Sequence, residues 1–174
     1  MKYFLTTLLL FVNIIRIFPL NIIDLLEYYN EAKKILYDKT FFLEEEYYVV
    51  DFFGFQRDPF TDEITFVDYL FISTRNTTKI LSFTDGEIVD IGYNLEMGNY
   101  VKIAYNEFEI EYGNLINIEI NIGEKLSRGK LIGYCRIDNG RAGSTSGIRL
   151  RIKYKNVFLN PNLILNFDDN RIRY

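Results

Sequence analysis

From Phe41 onward the chain is a run of short segments rich in Ile, Val, Tyr and Phe, and this pattern constrains its fold more than any other feature. YYVVDFFGFQ, ITFVDYLFIST, KILSF, EIVDIGY, YVKIAY, FEIEYGNL, INIEINI, KLIGYCRI and IRLRIKY follow one another down to Tyr154. Many alternate apolar with polar residues, which places successive side chains on opposite faces of a strand. Turn-formers separate them, among them TDG at 84–86, EMGN at 96–99 and SRG at 127–129. Short strands joined by tight turns predict a mainly β domain, an antiparallel sandwich or barrel-like core. No internal repeat or low-complexity linker interrupts the region. A chain of 174 residues accommodates one such domain and a short extra segment.

The N-terminal part obeys other periods. NIIDLLEYYNEAKKILYDK, residues 21–39, carries Ile22, Leu25, Leu26, Tyr29, Ala32 and Leu36 at helical spacing, with Asn21 placed to cap the start. Packing against its own domain is the expected role of this helix. Before it, Lys2 and the apolar run Tyr3–Ile15 match the charged and apolar regions of an export signal. The run falls short of the roughly 20 apolar residues of a membrane span unless it reaches Ile23 and buries Arg16. No Ala, Gly or Ser lies between residues 4 and 31 to mark a cleavage site. The segment is therefore expected to be a signal peptide or an uncleaved inner-membrane anchor spanning residues 3–23. A buried helix at the start of a cytosolic protein is the alternative. The expected organisation is residues 1–20 for export or anchoring, 21–40 a helical linker, 41–167 the β domain and 168–174 a polar tail.

Two absences narrow the chemistry. The chain has no histidine, so Ser–His and Cys–His catalytic pairs are excluded and the commonest metal ligand is missing. Its one cysteine, Cys135, lies in LIGYCRI and is expected to be a small core residue, since one thiol makes neither an internal disulfide nor a multi-thiolate zinc site. The formal net charge of -4 argues against a general nucleic-acid binder. No cofactor site is read from the aromatic content alone.

One strand stands apart. TSGIRLRIKY, residues 145–154, places Ile148, Leu150, Ile152 and Tyr154 on one face and Arg149, Arg151 and Lys153 on the other. A row of cations raises the question of what this face looks onto. Solvent, or internal acids such as Asp58 or Asp68, is one answer, and an external anion is the other. The run Glu44–Glu46 and the TDE tip at 61–63 are expected to be solvated, and the glycine-rich GRAGSTSG at 140–147 to be a loop before the final strand.

A family resemblance rests on NIGEKLSRGKLIG, residues 121–133, where Gly123, Gly129 and Gly133 punctuate a hairpin carrying Leu126, Leu131 and Ile132 inward. This spacing is shared by lipoyl carriers, membrane-fusion adaptors and lysostaphin/LytM-type zinc endopeptidases. The flanks choose the last. GFQRDP at 54–59, NTTKILSFTDGEIV at 76–89, DGEIVDIGY, MGNYVKIAY, YGNL, TSGIRLRI and FLNP resemble the LytM-type core in order and spacing. The resemblance covers residues 50–165.

That resemblance implies one zinc, held by a His, an Asp and the second His of a His-x-His strand, with two further catalytic histidines. Carried over by position, the zinc ligands fall on Val67, Phe71 and Arg151, and the catalytic histidines on Asn114 and Arg149. Val and Phe offer no lone pair, and arginine offers donors only. The expectation is a catalytically inactive member that takes no cofactor. Its groove, marked by Arg149, Arg151, Lys153 and Asn114, would meet an anionic ligand. The resemblance implies an exported, envelope-associated protein that binds peptidoglycan or regulates a wall hydrolase or division partner. A structural envelope assembly protein is the alternative, and a hydrolase using carboxylates such as Asp58 or Asp68 a weaker one.

Overall fold

The structure, a computed structural model, describes residues 22–36, 47–51, 53–74, 77–135 and 146–165. The export segment, Asn21, the Glu44–Glu46 run, residues 140–145 of the glycine-rich loop and the polar tail lie outside the described residues.

In chain order the elements are helix α1 (Ile22–Leu36), then β1 (Tyr47–Asp51), β2 (Gly54–Arg57), β3 (Ile64–Val67), β4 (Leu70–Thr74) and β5 (Lys79–Leu81). Next come β6 (Gly86–Asn94), β7 (Gly98–Tyr105), β8 (Phe108–Gly113), β9 (Leu115–Ile116), β10 (Lys125–Leu126) and β11 (Leu131–Cys135). The last are β12 (Gly147–Tyr154), β13 (Val157–Leu159) and helix α2 (Pro161–Leu165). A large antiparallel sheet runs in the order β1-β4-β12-β8-β7-β6-β10, with β13 also paired to β12. A smaller sheet, β5-β11-β9, shares its core, and β2 with β3 forms a separate hairpin. This is the mainly β, antiparallel architecture expected from the strand pattern.

The alternation in β12 is obeyed along its length. Ile148, Leu150 and Ile152 are fully buried and Tyr154 nearly so, while Arg149, Arg151 and Lys153 occupy the other face. Its neighbour β8 repeats the division, with Phe108, Ile110 and Tyr112 buried among the same core residues. Ile80, Ile132, Cys135 and Leu115 close the core from the smaller sheet. Removing each such side chain from water contributes roughly 1.5–3 kcal/mol, so the apolar face sets the register and thereby aims the charged face outward. Cys135 is buried, as its apolar neighbours imply, and its sulfur receives the Thr78 N–H at 3.2 Å.

Helix α1 packs against the domain. Ala32 and Leu36 are buried, Leu25, Tyr28 and Tyr29 half-buried, and Tyr28 meets Tyr154 edge-on at 4.8 Å. The Tyr29 hydroxyl accepts a hydrogen bond from the Asn160 N–H at 2.7 Å. Ile22 and Leu26, though helically spaced, remain exposed at the outer side. No helix among the described residues is long and apolar enough to cross a membrane.

Two local expectations change, and one short helix is new. YYVVDFFGFQ and ITFVDYLFIST each divide into two strands, so that β2 and β3 leave the main sheet. INIEINI does not form a strand beyond Ile116, because Asn117 turns the backbone into the left-handed region at φ 49°. The chain after FLNP is a short helix. Pro161 opens it, and the Asn160 side chain accepts the Asn162 N–H at 2.9 Å.

At the entry to β12, Gly147 has φ 151°, and a Cβ there would lie 2.2 Å from the Ile72 carbonyl oxygen. Gly147→Ala is expected to destabilise the domain by about 1–3 kcal/mol, from strain at a special backbone position. Chemical denaturation checks this, and an unchanged midpoint would contradict it.

Candidate functional site

The face of β12 opposite the core meets a matching face of β8. Register places Arg151 beside Glu111 and Lys153 beside Glu109, and Lys155 just beyond the strand reaches Glu107 at 3.2 Å. Across β8, Lys102 of β7 stands beside Glu111, at 4.0 Å between charged atoms. Cross-strand neighbours of opposite sign attract, and like charges directly opposite repel, so the alternation is self-consistent.

Arg151 is the centre of this face. Its Nε and Nη2 donate to one oxygen of Asp68 at 2.8 and 2.6 Å, and Nη2 also reaches Glu96 at 2.5 Å. Nη1 approaches both oxygens of Glu111 at 3.4 Å. The three acids come from three places: Asp68 from the link between β3 and β4, Glu96 from the β6–β7 turn, Glu111 from β8. The Arg151 side chain is 12% exposed, Asp68 15% and Glu111 8%, so the group is shielded from solvent on most sides. Glu96, at 50%, closes the rim. Phe158 of β13 lies beneath, its ring centre 5.7 Å from the guanidinium carbon.

These surroundings shift the protonation equilibria. Burial opposes the charge on Arg151, yet its hydrogen bonds to Asp68 and Glu96 outweigh burial and hold its pKa above the ordinary arginine value. Burial also raises the Glu111 carboxyl above the usual glutamate range, against the opposing pull of Arg151 and Lys102.

Arg149 sits between Phe71 of β4 and Gly113 of β8. It donates through Nη1 to the Glu96 carbonyl and lies over the Tyr69 ring at 5.6 Å. Its Nε is buried and makes no hydrogen bond. Lys153 is 3.8 Å from Glu109 and also faces Phe158. With Lys102, Glu111 and Arg151, these three residues line a cleft of about 120 Å³. Asn114 adopts φ 61° and donates through Nδ2 to the Gly147 carbonyl at 2.7 Å, tying the end of β8 to the start of β12. Phe71 is buried, and Val67 is half-buried at the end of β3.

Asp58 belongs elsewhere. It is exposed in the β2–β3 turn and accepts the N–H groups of Phe60 and Thr61 at 2.7 and 2.9 Å, which hold its carboxyl below the usual range. Glu96 and Glu111 were not singled out from the sequence. The signal for Glu111 is present, since the acids of FEIEY alternate in step with the cations of RLRIKY. Glu96 arrives through a turn, and no spacing announces it.

The family is decided by sequence over this same region. A family model described as Peptidase family M23 matches residues 68–161, more than half of the chain. The chain belongs to that family. No curated protein matches it in sequence. Similar solved structures include a zinc containing peptidase from Vibrio cholerae, at 18% identity and TM-score 0.57, covering 76% of this chain and 39% of that one. A chain of the SpoIIQ–SpoIIIAH pore forming complex aligns at 13% identity and TM-score 0.62, covering 75% of this chain and 92% of that one. Csd3 of Helicobacter pylori aligns at 18% and 0.54, covering 77% of this chain and 37% of that one. At these identities the likeness is one of fold. This M23 chain spans well under half the length of the first and last of these proteins.

The zinc that the family implies does not fit the residues present. At the carried-over ligand positions stand two hydrocarbon side chains and a guanidinium, none of which donates a lone pair. Among the described residues no group of three or more His, Cys, Asp and Glu is arranged to hold a metal ion. Asp68, Glu96 and Glu111 surround a cation already, and that cation is Arg151.

Two predictions follow from the cluster. Arg151→Ala leaves the buried Glu111 and the largely covered Asp68 without their partner and is expected to cost about 3–5 kcal/mol in urea denaturation; a loss below about 1 kcal/mol, the level of an exposed pair, would contradict the geometry. Because Glu111 binds its proton more tightly folded than unfolded, it favours the folded state below the usual glutamate range. That contribution is lost as pH rises through its raised pKa. Glu111→Gln should remove this part of the pH dependence of stability, and an unchanged profile would contradict the assignment.

Proposed function

We propose that this chain is a non-catalytic M23 domain of the cell envelope, acting by binding and not by hydrolysis. The observation that carries the reading is the Arg151 cluster. A guanidinium fixed by Asp68, Glu96 and Glu111 stands at the position matched to a zinc ligand, beside Arg149 and the buried Phe71. Zinc hydrolysis needs neutral or anionic ligands and an open position for water, and this cluster supplies a fixed positive charge in their place.

The binding partner in this reading is peptidoglycan, or a wall hydrolase or division protein. Arg149 is the cation best placed to meet it. It lacks a carboxylate partner among the described residues, whereas Arg151 is satisfied internally and Lys153 lies near Glu109. Carboxylates of wall stem peptides or of an acidic protein surface suit a guanidinium through charge-assisted hydrogen bonds. Export, with residues 1–20 as signal or anchor, belongs to the same reading. The division into 21–40, 41–167 and 168–174 is retained with it.

A second reading, a structural assembly protein of the envelope, is supported by the alignment over 92% of a chain from a pore forming complex. Carboxylate hydrolysis has less support, because Asp68 is held by Arg151 and Asp58 caps a turn.

The test is incubation of the purified chain with zinc, followed by dialysis and elemental analysis, alongside sedimentation with purified sacculi. The expected result is far less than one zinc per chain, no release of soluble wall fragments, and pelleting weakened by Arg149→Ala. One zinc per chain with release of wall fragments would overturn the non-catalytic reading. Absence of pelleting would leave a protein as the partner.

A further inference from the structure

Among the described residues, the outer edge of β6 is open beyond Ile88. On one side β6 pairs with β7 from Glu87 to Asn94, and on the other it meets β10 only at Gly86 and Glu87. Ile88 adds two bonds on that outer side, donating to the Glu124 carbonyl at 2.9 Å and accepting the Gly123 N–H at 2.7 Å. From Val89 to Asn94 no described strand continues the sheet.

The direction of the open groups follows from the register. The Ile88 N–H and C=O point away from β7, so those of its partner Ile103 point away from β6. Alternation along β7 gives Val101 and Asn99 the same direction, and their partners Ile91 and Tyr93 therefore turn their backbone groups outward. Unpaired edge groups of this kind form a template for another strand. Natural edges are commonly blocked by Lys or Pro, and the segment VDIGYNL, residues 89–95, contains neither. Three of its apolar side chains are presented to solvent as well, with Val89 44%, Tyr93 68% and Leu95 92% exposed, while Ile91 packs half-buried against the core.

The order of residues selects the occupant. VDIGYNL is symmetric in character about Gly92: apolar, polar, apolar, glycine, apolar, polar, apolar. Pairing with an identical strand about an axis at Gly92 sets Ile91 against Tyr93, Asp90 against Asn94 and Val89 against Leu95. The outward groups of Ile91 and Tyr93 then exchange hydrogen bonds on both sides of the axis. Moving the axis to Ile91 would draw the two Asp90 side chains together. The bulge between Ile88 and Asp90 ends the available stretch on one side and the β6–β7 turn ends it on the other.

We propose that β6 pairs antiparallel with β6 of a second copy about Gly92, joining two large sheets into one. This interface uses none of the residues of the Arg151 cluster, which it adjoins at Leu95 beside Glu96, and it does not depend on whether the domain hydrolyses anything. The full chain, in mild detergent, is examined by sedimentation velocity over a wide concentration range, as wild type and as Tyr93→Lys. Tyr93 is exposed, so the change leaves the core untouched, while a charged edge opposes pairing. A reversible dimer is expected, weakened at least about tenfold by Tyr93→Lys. Nitroxide labels on Leu95→Cys fix the register independently. Six residue steps separate the two labelled positions, so their backbones lie about 20 Å apart. A monomer at every concentration, a dimer indifferent to Tyr93→Lys, or a label separation incompatible with that register would overturn the proposal.

Discussion

A guanidinium brought against a sheet face gives up water, and that loss is offset where well-placed acceptors take the water's place. Arg151 has such acceptors in Asp68, Glu96 and Glu111, drawn from three segments far apart in the chain. The Asp68 contact joins the β3–β4 link to β12, the Glu96 contact brings in the β6–β7 turn, and Glu111 is the cross-strand neighbour. The rest of the face depends on this arrangement. Glu109 and Glu107 continue it toward Lys153 and Lys155, and Asn114 closes the opposite end by holding the Gly147 carbonyl.

Set on an M23 scaffold, the cluster has a further meaning. A metal ion and an arginine are both cations, and each needs electron-rich neighbours. They differ in what they leave for chemistry. A catalytic zinc keeps an open coordination position where water is activated, whereas a guanidinium has no vacant orbital and its donors end on fixed acceptors. An arginine surrounded by acids places a positive centre in the fold and leaves no open position for water on that centre. Arg149, with its buried unbonded Nε and its contact to the Tyr69 ring, is the guanidinium of this face that no carboxylate engages among the described residues.

Much of the fold was legible in the sequence because strand alternation is a short-range signal. Ile148, Leu150 and Ile152 declare the buried face of β12 without any knowledge of its partners, and Cys135 declares its burial through its apolar neighbours. The family resemblance names Phe71 and Arg149, and the register makes the two cross-strand partners. Legibility ended where a backbone angle or a tertiary contact decided the outcome. INIEINI has the composition of a strand, but Asn117 turns the chain out of the ladder. The partners of Arg151 are a pairing across sheet and loops; Asp68 was among the acids named, Asp58 was engaged elsewhere, and Glu96 had no local mark at all. Sequence spacing shows which faces are charged, whereas sheet register and turn placement decide which charges meet.

The geometry around Arg151 makes it one energetic unit with the acids it contacts. A double-mutant cycle on Arg151→Met and Asp68→Asn, read by chemical denaturation, tests this most directly. The account predicts a coupling free energy of about 1–3 kcal/mol, the range for residues within one buried network. Single-mutant losses that simply add, within about 0.5 kcal/mol, would show that the pair does not act as a unit and would contradict the account.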